Sequence, residues 1–231
     1  MSCLSTIHSE PTFHGTVEEL FGRKMQLKRN QFVLLNSYPF PAVFYIVKGM
    51  VRMGAYLEKG GETTYCLLPE DHVFLAGMPT ESHWINFAQS CTDVVNLRIY
   101  QQDQLKSFNG KDHPCSLDMV ALQQKHISCM ERQMQMLSCQ NIHHKLAHFV
   151  LFLADLYGYR RQGVTYVPHS FTHLEIGKVL SLSRQSVTQT LRQLQKQGYI
   201  QYCRKKFVIP DYEKFQKIVK SKSEATALRE G

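Results

Sequence analysis

The chain has 231 residues, 43% of them hydrophobic and 20% charged, a profile that suits two modest folded domains, each with its own core. No apolar run approaches the roughly 20 residues that cross a bilayer. The first residues lack a basic start followed by an apolar stretch, so the chain reads as cytoplasmic, with no secretion signal and no membrane partner.

The formal net charge is +8, and it is unevenly spread. Arg160 to Gly231 holds 14 of the 27 Lys and Arg but only 5 of the 19 Asp and Glu, leaving the rest of the chain near neutral. A basic third on a neutral body suits a polyanion partner, because neutralised phosphates release condensed counterions; charge alone leaves a solvated basic surface equally open. The seven cysteines, at 3, 66, 91, 115, 129, 139 and 203, are scattered. None has C-x-x-C spacing and no cluster offers zinc or iron–sulfur ligands, so they read as reduced, mostly buried thiols with no metal site.

Phe32–Leu35, Val43–Val47, Val51–Leu57, Thr63–Leu68 and Val94–Ile99 are short runs rich in β-branched and aromatic residues. Pro39, Pro41, Gly49, Gly60-Gly61 and Pro69-Glu70-Asp71 separate them, which predicts a sandwich or jelly-roll barrel. Gly60-Gly61 fits a hairpin turn. Cys115 to Cys139 then contains no Gly or Pro. Val120, Ile127 and Met134 recur every seven residues, with Met130 and Leu137 three after the last two and Gln123 breaking one position. That seam predicts a long helix that pairs with a second copy, or packs on its own barrel.

A second helix, Asn141 to Tyr157, turns Leu146, Phe149, Val150, Leu153 and Leu156 inward and stops at Gly158, and residues 159–163 read as a polar loop. Thr172 and Glu175 have capping-box spacing and open a short helix, His173 to Leu180. Gly177 allows a close approach, Ser181-Leu182-Ser183 turns the chain with Leu182 as a plug, and Ser183 caps a helix from Arg184 to Gln197. Val187, Leu191 and Leu194 form its buried stripe. Gln185, Gln189, Arg192 and Lys196 project opposite, with Arg184 at the tip. Gln pairs with adenine and Arg with guanine through two bonds each, and Lys or Arg holds phosphate. This is a helix-turn-helix in the right order. Ile200–Cys203 and Phe207–Ile209 flank Arg204-Lys205-Lys206 as a hairpin with a basic tip, and Val164–Val167 adds a third strand, giving a winged helix.

Barrel, long helix and winged helix-turn-helix together resemble the CRP/FNR superfamily of bacterial transcription regulators. The resemblance spans about Gln31 to Ile209 and is most specific in Thr172–Gly177, Leu182–Val187 and Leu191–Ile200. It implies an α+β fold: an N-terminal cupin-like jelly-roll barrel that senses an effector (residues 1–112), a dimerisation helix (113–140) and a winged reader (141–231). It implies a homodimer on an inverted-repeat duplex, with RNA polymerase as a further partner. Carried over, Arg184, Gln185 and Gln189 read bases with Thr188 beside them, and His173, Ser183 and Ser186 hold phosphate; by charge and position, Arg192 and Lys196 on the exposed helix face and Arg204, Lys205 and Lys206 at the hairpin tip complete the DNA surface. Where Gln185 stands the family often has Glu, which prefers cytosine.

The sensor departs further from the family. From His72 to Trp84 there is no Arg to meet a phosphate, which argues against a cyclic nucleotide. Only Cys3 precedes Cys66, which argues against an iron–sulfur cluster. His72, His83 and Cys66 are the haem-ligand candidates, and haem is not favoured either. By analogy with relatives, Phe74, Met78, Trp84 and His126 line an effector cavity. Two rivals have their own tests. A cupin-like metal enzyme needs a clustered His-x-His with further ligands, and His72 and His83 lie eleven apart. A protein-binding anti-regulator would be indifferent to DNA sequence.

Overall fold

The computed structural model describes residues 23–58, 60–78, 84–101, 115–203 and 205–220. Two four-stranded antiparallel sheets form the first half. One has β1 (Arg23–Lys28), β8 (Val94–Gln101), β3 (Ala42–Lys48) and β6 (Val73–Ala76) in that order, the other β2 (Phe32–Leu34), β7 (Ile85–Ser90), β4 (Val51–Tyr56) and β5 (Glu62–Leu68). Leu27, Phe44, Ile46, Phe74 and Leu97 of the first meet Val33, Val51, Cys66, Leu68 and Ala88 of the second in one core. This is the expected jelly roll. β4 and β5 form a hairpin, and Gly60 and Gly61 (φ 83° and 90°) take backbone conformations that suit residues without a Cβ.

Three of the eight strands were not legible from periodicity. β1 is half charged, β7 is Ile-Asn-Phe-Ala-Gln-Ser, and β6, Val-Phe-Leu-Ala, is a four-residue apolar run without alternation.

A long helix, α1 (Cys115–Ser138), leads to α2 (Ile142–Tyr157), which Asn141 caps by accepting from the His143 N–H at 2.8 Å. Leu146, Phe149, Val150 and Leu153 are buried as expected, but Leu156 is exposed. The inward stripe steps from Leu153 to Tyr157, four residues on, which turns Leu156 toward solvent.

A third sheet follows, in the order β11 (Gln201–Cys203), β12 (Lys206–Ile209), β10 (Val164–Pro168), β9 (Tyr159–Arg161). β9 replaces part of the expected polar loop. It is fully exposed and pairs with β10 through backbone, Tyr159 opposite Tyr166, so no burial pattern announced it. Between the second and third sheet strands in the chain lie α3 (His173–Leu180) and α4 (Arg184–Lys196), and the unanticipated α5 (Tyr212–Lys220) closes the fold. These elements share a second core around Phe149, Ile176, Leu180, Val187, Leu191, Phe207 and Phe215. No helix among the described residues is long and apolar enough to cross a membrane.

Candidate nucleic-acid interface

The geometry of α3 and α4 follows from three local devices. The capping box is complete: Thr172 N–H donates to Glu175 Oε2 at 2.6 Å and Glu175 N–H to Thr172 Oγ1 at 3.2 Å. In the turn, a Cβ on Gly177 would stand 2.5 Å from the Leu182 carbonyl oxygen, so only glycine permits this approach. Ser181 adopts a left-handed conformation at the end of α3, and Ser183 Oγ then accepts from the Ser186 N–H at 3.0 Å to start α4.

Val187, Leu191 and Leu194 are 0–2% exposed, which fixes the rotation of α4. Its other side is an open groove lined by Arg184, Gln185, Thr188, Gln189, Arg192, Gln193 and Lys196. α4 contains no Asp or Glu. The surface therefore carries three cations and three amides with nothing to repel a phosphate. Gln193 was not anticipated, although it stands four residues beyond Gln189 and so belongs to the same stripe. His143 Nε2, from the start of α2, meets its Oε1 at 2.7 Å.

Some hydroxyls are already engaged. Thr188 Oγ1 donates to the Arg184 carbonyl at 2.8 Å, so His173 Nδ1 at 2.7 Å donates to Thr188. Thr188 is left with its methyl and one acceptor lone pair to offer a base. Burial, then Arg184 and Arg192, hold the His173 pKa below its ordinary value; its free Nε2 donates to phosphate only when the ring is protonated. Ser183 and Ser186 bond one another at 2.8 Å. At the wing, Lys205 and Lys206 are exposed, with Lys206 Nζ 5.6 Å from the Tyr166 ring centre, and Arg204 lies outside the described residues.

The proposed effector residues do not share one lining. Phe74 is 1% exposed and stacks on Phe44 at 4.9 Å in the barrel core, whereas Met78 and Trp84 are over 40% exposed. His126 reaches from α1 to the Val73 carbonyl at 3.3 Å. The cause is that Phe74 belongs to a strand, β6, whose alternation sends it inward. Of the haem-ligand candidates, Cys66 is fully buried, which pushes its thiol up to about 12. His72 Nδ1 donates to the Glu70 carbonyl at 2.9 Å, leaving Nε2 3.4 Å from Cys129 Sγ. His83 is outside the described residues. Cys66, Cys91, Cys129, Cys139 and Cys203 are free, and of these five Cys66 and Cys91 are buried, a smaller share than expected. Among the described residues no group of three His, Cys, Asp or Glu could hold a metal ion.

Behind the reading face, His169 stacks on Phe207 with ring centres 4.2 Å apart. Neither of its buried ring nitrogens has a partner. Burial, then His173, lowers its pKa to about 4. The folded state thus keeps His169 neutral, while an unfolded chain protonates it near 6.5. Between those values the unfolded state binds more protons, so stability falls as pH drops from 6.5 toward 4, by about 3 kcal/mol in the limit. His72 and His148, also lowered chiefly by burial, act in the same direction. Thermal unfolding over this range should show the loss, and His169→Phe should reduce its slope; an unchanged slope would mean that His169 is protonated in the fold.

A family profile for the Crp-like helix-turn-helix domain matches residues 144–218. The chain is 24% identical over 187 residues to the transcriptional activator protein Anr of Pseudomonas aeruginosa, covering 80% of this chain and 75% of that one. It shares its fold with a CooA mutant from Carboxydothermus hydrogenoformans, with a TM-score of 0.70, 16% identity and coverage of 86% and 88%. The CRP/FNR-family regulator TTHA1359 from Thermus thermophilus aligns with a TM-score of 0.62 at 20% identity, covering 86% of this chain and 98% of that one. With a Crp-like helix-turn-helix domain at residues 144–218, set behind a jelly roll and a long helix in the fold of CRP/FNR-family regulators, the chain is a DNA-binding transcription regulator.

Proposed function

We propose that the protein acts as a homodimer that reads an inverted repeat, one α4 per half-site, with centres about one helical turn apart. The observation that carries this is the division of α1 into two faces. Gln133 and Met136 are buried against the chain's own barrel and reader. The heptad seam points the other way: Ile127 is 48% exposed, Met130 40% and Met134 66%. Three large apolar side chains in a row on one helix face call for a partner, and a second copy offers the same seam.

In this reading residues 1–112 sense, 113–140 dimerise and 141–231 read. Arg184, Gln185 and Gln189 contact bases, Thr188 offers its methyl, and His173, Ser183, Ser186, Arg192, Lys196, Arg204, Lys205 and Lys206 serve the phosphates. The protein works by binding and not by catalysis, in the cytoplasm. RNA polymerase is a further partner, a reading supported by the relative named a transcriptional activator. A small effector without a phosphate is favoured over a cyclic nucleotide, because residues 72–84 contain no Arg or Lys.

Sedimentation of the purified protein with and without a bound duplex tests the assembly. Two chains per particle, free and bound, are expected. One chain per duplex would remove the dimer.

A further inference from the structure

The last carbonyls of a helix have no partner within it and must find one elsewhere. In α3 the Gly177 carbonyl is taken by the Leu182 N–H of the turn at 2.8 Å. The next two are taken from outside the reader. Thr64 Oγ1, on barrel strand β5, donates to the Lys178 carbonyl at 3.0 Å, and Gln133 Nε2, on α1, donates to the Val179 carbonyl at 2.6 Å. Thr64 is itself aimed by Arg52, whose Nη1 donates to Thr64 Oγ1 at 3.1 Å.

Ion pairs close the same grip at both ends of α3. Arg29 holds the capping carboxylate of Glu175 at 2.8 and 2.9 Å. Glu62 takes Lys178 Nζ at 2.6 Å and the buried Arg52 at 2.7 Å. Met50, Leu67 and Cys91 of the barrel join the reader's core beneath these contacts.

Resting on the dimer reading above, we infer that Thr64 and Gln133 are positioning residues for DNA reading. They cap α3 from the barrel and the dimer helix, and so set the separation and angle of the two α4 faces. The linkage is short. α3 cannot turn without α4, because Gly177 is closed against Leu182 and His173 is bonded to Thr188. Gln133 immediately precedes Met134, so one turn of α1 carries both the seam and the bond to the reader. Gln133 also leaves its Oε1 buried without a partner. A side chain selected for packing alone would be served better by Met; the N–H to Val179 is what Gln adds.

The test uses the full-length protein and duplexes carrying its selected inverted repeat, with the spacer kept, or lengthened or shortened by a base pair or two. Wild type and Thr64→Ser, which keeps the hydroxyl, should bind the native spacing at least about tenfold more tightly than the altered ones. Gln133→Met, nearly the same shape, should lose most of that preference, as should Thr64→Val where it folds. Their affinity for a single half-site should not change, a readout that a merely structural role would not separate. If Gln133→Met keeps the wild-type spacing preference, or binds every spacing more tightly, the positioning role is overturned while the dimer stands. If wild type has no spacing preference at all, the dimer reading and this inference fall together.

Discussion

Arg184→Ala should weaken duplex binding by at least about thirtyfold while leaving the thermal midpoint nearly unchanged. A bidentate contact between Arg and a base is worth about 1–3 kcal/mol. A symmetric dimer loses it twice, so about 2–6 kcal/mol disappears, each 1.4 kcal/mol being tenfold. Gln185→Ala should behave similarly at its own base pair. Both side chains are exposed on α4, beside a buried stripe they do not touch, so the cost belongs to binding and not to folding. Fluorescence anisotropy with the selected duplex, paired with calorimetry, separates the two. A loss of stability matching the loss of affinity would place these residues in the fold and not in the groove.

Replacing Ile127 and Met134 with Glu should produce a folded single chain that binds its full site some 10²–10⁴ times more weakly than wild type. The factor is the effective concentration that linking two readers supplies. The seam is exposed in the single chain, so the charges meet water there; in a dimer they face each other across an apolar interface. The contrasting substitution is Gln133→Met on the buried side of the helix, which should leave the mass unchanged. Sedimentation of the two variants side by side reads this directly. A Glu variant that remains a dimer would move the interface elsewhere.

How much of this was legible before the structure varied by element. The reader was nearly complete in the sequence because each of its devices is local: the Thr172–Glu175 spacing, Gly177, the Ser183 cap and the Val187, Leu191, Leu194 stripe all act within a few residues. The barrel was recognisable as a class, yet β1 and β7 escaped because their polar residues hide the alternation, and β9 escaped because all three of its residues are exposed and leave no burial pattern. The effector guess met a different obstacle. Phe74 and Trp84 are ten residues apart, and only the pairing of β6 with β3 shows that one points into the core while the other remains half exposed. The grip on α3 was invisible for a related reason. Arg29 and Glu175 are 146 residues apart and Thr64 and Lys178 are 114, and no spacing rule links such pairs. Buried Arg52 shows why a lone charge in a strand merits a search for its partners: Glu62, Thr64, Gln89 and the Phe87 ring surround it.

The most direct measurement is selection of bound sequences from a random duplex pool by wild type and by Gln185→Glu. Wild type should enrich an inverted repeat whose half-sites lie about one helical turn apart, with guanine and adenine at the positions facing Arg184 and Gln185. The variant should enrich the same arm spacing with cytosine in place of that adenine, because a carboxylate accepts from the cytosine amino group and cannot donate to adenine. Enrichment of identical sequences by both proteins, or of none, would contradict reading by α4.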